Sequence, residues 1–367
     1  MNTAFDIYKG KRVLVTGHTG FKGAWLTQWL LTLGAKVTGA ALPPPTSPSL
    51  FNQLRLDADI EHRLGDIRDR DFVSQVVATS QPDFIFHLAA QPLVRLSYRE
   101  PVETLSTNIM GTAHVLDAAR QMEKNCAVVS ITTDKCYENK EWVHSYREED
   151  PVGGHDPYSA SKGAAEIVIA AYRRSFFSHV ENPVKLASAR AGNVIGGGDW
   201  ADDRIVPDSI RALARGEIIP VRNKISTRPW QHVLEPLSGY LTLGARLYQT
   251  PKNDASFSRY ASAFNFGPPL SSNKTVADLV QEILRHWPGE WSDRSDQHAV
   301  HEATLLNLAT DKAHHILHWQ SRWDFPTTVR KTIEWYRDAS SLSEPGDYQR
   351  LTISQIQDYA ETATASF

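Results

Sequence analysis

Two short stretches of this chain carry residue types that do proton chemistry. In "YSASK", Tyr158 and Lys162 stand four residues apart at the start of a helical pattern, so they share one face. A nearby ammonium stabilises a phenolate, and Lys162 could bring the Tyr158 pKa down toward the range of a general base. In "TTDKCYEN", Thr132 to Asn139, a hydroxyl, an acid and a cation follow one another as Thr133, Asp134 and Lys135. The Thr133 hydroxyl could share the proton path of the phenol. Taken alone, a tyrosine and a lysine at this spacing are more often an exposed helical pair, so their meaning depends on what surrounds them.

"TGHTGFKG" places Gly17, Gly20 and Gly23 at three-residue intervals, directly after the strand-like "RVLVTG" and opening the helix-like "GAWLTQWLLTLG". Glycines permit a tight turn and let backbone amides approach a pyrophosphate, which the positive helix N-terminus stabilises. The context predicts a dinucleotide site on Gly17, Thr19, Gly20, Phe21 and Gly23. "GDIRD" offers Asp66 and Ile67 as adenine-edge contacts, and "HLAAQ" would bring the backbone of Leu88, Ala89 and Ala90 near the pyrophosphate. The second strand ends in "GAALPPP". That end lacks the acid that usually holds the ribose hydroxyls of NAD, and equally any basic residue for the extra phosphate of NADP. NAD is the expected cofactor.

The elements that must position these groups alternate, strand-like and helix-like, through the first half. "DFIFHLAA" and "CAVVSITT" are continuous apolar runs, as in strands buried on both faces. After "KLASARAGNVIGGGDW" the regularity weakens, and Gly- and Pro-rich loops precede a helix "TVADLVQEILRHW". The expected fold class is α/β: a Rossmann-type doubly wound parallel sheet with a smaller mixed α/β substrate domain. The dinucleotide domain is expected over 1–185 with returning segments near 229–264. The substrate domain is expected over 186–228 and 265–340, and 341–367, rich in Ser, Asp and Gln, as a tail that packs loosely or contacts another subunit.

The 367 residues carry a formal charge of -3 with basic and acidic residues interspersed, which gives no bias toward nucleic acid or acidic membranes. No apolar run approaches the roughly 20 residues that span a bilayer. The two cysteines, Cys126 and Cys136, form no CxxC pattern, so no disulfide framework or zinc site is expected. A reducing, cytoplasmic setting fits. His87, His314, His315 and His318 lack carboxylate partners at ligand spacing, so no metal is expected.

"TGHTGFKG", "HLAAQ", "TNIMGT", "TTD" and "YSASK", in this order, resemble the extended short-chain dehydrogenase/reductase family over nearly the whole chain. The resemblance implies a triad of Thr133, Tyr158 and Lys162, the tyrosine taking a hydroxyl proton while hydride leaves the same carbon for the nicotinamide. It makes Asn108 the structural asparagine of the central helix. Nucleotide-sugar 4,6-dehydratases of this family carry Thr-Asp-Glu where Thr133-Asp134-Lys135 stands here. Oxidation at sugar carbon 4 makes the carbon 5 proton acidic, and losing it with the carbon 6 hydroxyl requires a base and an acid. A protonated Asp134 could donate to the departing hydroxyl. Lys135 occupies the base position and would have to be neutral to accept a proton. A water or Tyr137 could serve instead, with Lys135 only orienting Asp134 through a salt bridge.

"AAQPLVRLSYREP", "TTDKCYENKEW" and "GGGDWADDRIVPD" resemble the group that converts CDP-glucose to its 4-keto-6-deoxy derivative, a deoxysugar precursor. The lysine also occurs in dehydratases acting on UDP-N-acetylglucosamine, so such a dehydratase or an epimerase is the enzyme alternative, and an NAD-sensing binding protein the non-enzyme one. The resemblance implies that Asn193, Arg204 and Arg228 hold the substrate diphosphate, with Arg95, Ser97 and Tyr98 lining the sugar pocket. It also implies a homo-oligomer, a dimer through a four-helix bundle built on 101–122 and 157–178, or a tetramer.

Overall fold

The apolar runs of the first half become strands of one parallel sheet in the computed structural model, which describes residues 3–295 and 305–362. Strands β1 (Arg12–Thr16), β2 (Lys36–Ala41), β3 (Glu61–Leu64), β4 (Phe84–His87), β5 (Cys126–Ile131), β6 (Val184–Ala191) and β7 (Ala263–Phe266) lie in the order β7-β6-β5-β4-β1-β2-β3. Every residue of β5 and β6 is buried, which explains why their sequences run apolar without alternation. The strand order reverses between β1 and β4. Such a reversal opens a crevice at the carboxyl ends of the strands, where ligands bind in this architecture.

Helices cover both faces. Helix α1 (Phe21–Thr32) follows β1 and ends just before Gly34, whose φ of 78° closes the turn into β2. Helix α2 (Arg70–Ser80), capped by the Asp69 carboxylate, packs on α3 (Gly111–Arg120). Residues Pro101–Leu105 and a π turn at Ser106–Met110 lead directly into α3, and α4 (Pro157–Tyr172) packs alongside. Val115, Leu116 and Ile169 bury that face of the sheet. The other face is filled by Trp25 and Trp29 of α1 and by Leu237, Tyr240 and Leu241 of α6 (Leu234–Gln249). The chain therefore returns to the sheet with α6 and β7 after an excursion above the carboxyl edge.

That excursion is built from three short strand pairs, Val194–Ile195 with Gln231–His232, Ile219–Val221 with Trp291–Asp293, and Thr227–Pro229 with Asn273–Thr275. Helices α5 (Ile205–Ala214), α7 (Val276–His286) and α8 (Phe325–Ala339) accompany them. The stretch 296–304 of the expected substrate domain lies outside the described residues.

The carboxyl-terminal segment departs from expectation. Its polar composition suggested loose packing, yet α9 (Pro345–Thr362) docks on α1, Trp29 meets the ring of Tyr359 at 5.9 Å, and Tyr359 is fully buried. The Tyr359 hydroxyl donates to Glu235 Oε2 at 2.6 Å. Burial and that partner replace the apolar run a reader of the sequence would look for. The final residues, 363–367, lie outside the described residues. No described helix is long and apolar enough to cross a membrane.

Candidate active site

Four strand ends converge at the crevice. The turn after β1 begins at Gly17, with φ 78°, and a methyl there would stand 2.7 Å from the Ala89 nitrogen. The turn and the segment after β4 are thus packed backbone on backbone, which only glycine allows. A methyl on Gly23 would stand 2.1 Å from the Gly17 oxygen, while one on Gly20 would meet only that oxygen, at 3.5 Å. The turn is closed on its protein side and open at Gly20. Helix α1 starts at Gly20 with no side-chain cap, leaving its first amides for an anion. Thr19 Oγ1 donates to the Leu42 carbonyl and ties the turn to the end of β2. This cradle fits a dinucleotide pyrophosphate.

The other expected cofactor residues flank it. Ala89 N donates to Thr16 Oγ1 at 3.3 Å, whose partner His87 Nδ1 lies 2.7 Å away. Asn108 holds the segment after β4 from below: its Oδ1 accepts from Gln91 N, and its Nδ2 donates to Gln91 O and to Ser161 Oγ on α4. Both its amide hydrogens and its carbonyl oxygen are engaged in joining two walls of the crevice. Ile67 is buried with its side chain over Gly111, and Asp66 is paired with Arg68 at 2.7 Å.

The chemical groups sit between β5 and α4. Asp156 caps α4 by accepting from Ser159 N, and Pro157 occupies the first turn, so Tyr158 enters the helix rigidly placed. Tyr158 and Lys162 are 8% and 6% exposed, which removes the exposed-pair reading. Burial raises the Tyr158 phenol above its ordinary pKa, the Thr133 hydroxyl and Arg204 opposing it. In the chain on its own, burial outweighs these opposing groups. Burial also lowers Lys162 to about 8, against the pull of Glu166 one turn further on.

Asp134 is 3% exposed, and its Oδ1 accepts from Thr133 Oγ1 at 2.8 Å. Burial raises its pKa, with Lys135, the Thr133 hydroxyl and Arg228 opposing. It is a carboxyl biased toward the protonated form, as a proton donor requires. A side chain at position 192 would press on it, and Gly192 leaves the room. Lys135 is half-buried and forms no ion pair among the described residues, so the salt bridge proposed to orient Asp134 is absent. Tyr137 is 1% exposed and bonded to Arg190 and Asn265 in the core. It is removed from consideration as the carbon 5 base.

Of the expected substrate residues, Arg204 pairs with Asp199 at 2.7 Å and acts electrostatically on Tyr158. Arg228 donates to the Thr227 carbonyl and acts on Asp134, so both arginines belong to the same crevice. Asn193 follows β6, its carbonyl accepting from Gln231 N. Arg95 reaches Asp203 at 3.5 Å, and Tyr98 is 40% exposed. Ser97 is fully buried and donates to the Val94 carbonyl, so its hydroxyl is used within its own turn and cannot line a sugar pocket. Among the described residues no cluster could hold a metal ion.

Sequence reasoning missed Lys22, which lies within electrostatic reach of Arg204, Asp134 and Lys162. A cation inside the glycine turn, where an apolar residue would suffice for packing, was the available signal.

Comparisons with known proteins place this geometry. Residues 14–255 match the family model described as GDP-mannose 4,6 dehydratase. The chain is 48% identical over 337 residues to the CDP-glucose 4,6-dehydratase of Salmonella typhimurium, covering 90% of this chain and 92% of that one. It is 27% identical to the dTDP-glucose 4,6-dehydratase of Streptomyces antibioticus, covering 91% and 94%. Among solved structures, the dTDP-glucose 4,6-dehydratase of Streptomyces venezuelae, with NAD bound, superposes with a TM-score of 0.75 at 23% identity, covering 91% and 99%. The chain belongs to the nucleotide-sugar 4,6-dehydratase family of extended short-chain dehydrogenases/reductases.

Proposed function

We propose that this protein is an NAD-dependent CDP-glucose 4,6-dehydratase, a hydro-lyase that forms CDP-4-keto-6-deoxyglucose. The observation that carries the reading is the buried Asp134 carboxyl, held toward its acid form beside the Tyr158 phenol. Oxidation of an alcohol needs one base. A second, protonated acid in the same crevice is what an elimination adds. The 48% identity to a CDP-glucose enzyme supports the choice of nucleotide.

Gly17, Gly20 and Gly23 with the first amides of α1 would hold NAD, which would supply the hydride acceptor for carbon 4 and the hydride donor for carbon 6. Tyr158 takes the carbon 4 hydroxyl proton, with Thr133 on the same path. Asp134 delivers a proton to the carbon 6 hydroxyl, which leaves as water. Lys135, beside Asp134 and with no ion pair among the described residues, is the residue assigned to take the carbon 5 proton and to give it back as hydride reaches carbon 6. Arg204 and Arg228 hold the diphosphate, and the planar guanidinium suits paired phosphate oxygens. Incubation with NAD and CDP-glucose should yield a sugar nucleotide lighter by one water with the ultraviolet signature of a 4-keto sugar. Product from UDP-N-acetylglucosamine or dTDP-glucose, and none from CDP-glucose, would overturn the assignment.

The same reading includes a homodimer. Val102, Leu105 and Met110 on the helical run before α3, with Ile167 of α4 and Phe176 beyond it, leave apolar side chains exposed, Val102 by 73% and Ile167 by 60%. Two copies would cover that face as four helices. Light scattering should give twice the chain mass, and Ile167→Glu should shift it to the monomer.

A further inference from the structure

Lys22, like Lys135, makes no ion pair among the described residues, but unlike Lys135 it has no part in the chemistry proposed above. Arg204 has Asp199, and Lys162 has Glu166 within electrostatic reach. Lys22 stands in the first turn of α1, two residues after Gly20, and makes no ion pair or side-chain hydrogen bond among the described residues. The charges around it are Arg204 and Lys162, which repel it, and Asp134, which burial biases toward neutrality. Accordingly Lys22 is lowered to about 8, by burial first and then by Arg204 and Lys162. A desolvated ammonium within reach of two other cations is an unfavourable arrangement in the free protein, and an anion relieves it.

We propose that the Lys22 ammonium is a phosphate-binding group that holds the cofactor's pyrophosphate on the side of the glycine turn facing the catalytic crevice. The turn itself argues for the cofactor. Uncapped amides at the start of α1 and the Lys22 side chain issue from the same three residues, so main-chain donors and a point charge converge on one anion. Arg204 and Arg228 already serve a second diphosphate further along the crevice. Lys22 thus stands between two phosphate sites, and the assignment rests on the reading that the glycine turn takes NAD.

The test is titration calorimetry on the intact protein with NAD, ADP-ribose and CDP. Lys22→Met should weaken NAD and ADP-ribose alike by roughly ten- to a hundredfold, the usual effect of deleting a charge-assisted hydrogen bond, and leave CDP affinity unchanged. Lys22→Arg should retain most of the affinity for both adenine nucleotides. Lys22→Gln, neutral but polar, supplies a second variant should the methionine variant fold poorly by circular dichroism. Unaltered NAD affinity in a folded neutral variant overturns the proposal, as does a loss confined to CDP. Failure of the wild-type protein to bind NAD would instead remove the cofactor reading on which this rests.

Discussion

Arg190 Nη1 donates to the Tyr137 hydroxyl at 2.8 Å, and the guanidinium also lies 4.9 Å from the centre of that ring. The same phenol donates to Asn265 Oδ1 at 2.7 Å, so both its hydrogen-bonding capacities are met inside the core. Arg190 Nη2 continues the network to Glu166 at 2.8 Å, and Thr132 and Ser188 complete the carboxylate's shell. The loop that carries Asp134 is anchored through Tyr137 to β6 and β7.

Tyr137→Phe should therefore leave keto-sugar formation intact while lowering stability by about 1–3 kcal/mol, the cost of leaving buried polar partners unsatisfied. Guanidinium unfolding beside a turnover assay checks it. Lost turnover with an unchanged unfolding midpoint would give this phenol the chemical part that its bonding denies.

Lys162 makes a pH prediction with a definite sign. Its folded pKa of about 8 lies below the ordinary lysine value near 10.4, so between those values the unfolded chain holds a proton that the folded chain has shed. Unfolding free energy then rises with pH across that window. Lys162→Met lacks the contribution. Near neutral pH the variant should be the more stable protein, and its advantage should shrink by at most about 1.4 kcal/mol per pH unit toward pH ~10. Urea unfolding of both proteins over that range would show it, and a gap that stays constant or widens would contradict it.

What the sequence made legible was what lies close together in it. The glycine turn, the i, i+4 pair Tyr158 and Lys162, and the acid after Thr133 are local patterns, and the structure gathers them at one sheet edge. Burial is non-local and was not legible. Ser97 reads as an available hydroxyl until its turn is seen closed on Val94. The pKa of Tyr158 reads as a matter of one ammonium until the desolvation of the phenol is included. Helix α9 reads as polar because its few core contacts, Ile356 and Tyr359, are spaced one face apart among glutamines and aspartates.

The turn itself supplies a paired prediction. Gly17→Ala puts a non-glycine residue at φ 78°, costing about 1–2 kcal/mol before the collision with Ala89 is counted. Gly20→Ala meets nothing nearer than 3.5 Å and should unfold within ~0.5 kcal/mol of wild type. Its methyl nevertheless enters the open side of the cradle, so NAD should bind more weakly. Thermal melts and NAD titrations should separate the two variants. Equal melting with equal affinity would mean that the pyrophosphate does not lie against Gly20.

The division of labour among Tyr158, Asp134 and Lys135 can be read from where each variant stops. Tyr158→Phe removes the phenol assigned to carbon 4, and no reduced nicotinamide should appear. Asp134→Asn keeps an oxygen for the Thr133 hydroxyl but has no acidic proton, so reduced nicotinamide should accumulate while elimination slows by about 10²–10⁴-fold. Lys135→Met should stop at the same absorbance for a different reason, and heavy water distinguishes them. With the base intact, Asp134→Asn should exchange the hydrogen at carbon 5 with solvent; with the base gone, Lys135→Met should retain it. Exchange at the wild-type rate in Lys135→Met would transfer the carbon 5 proton to a water, leaving Asp134 and Tyr158 in the roles their burial supports.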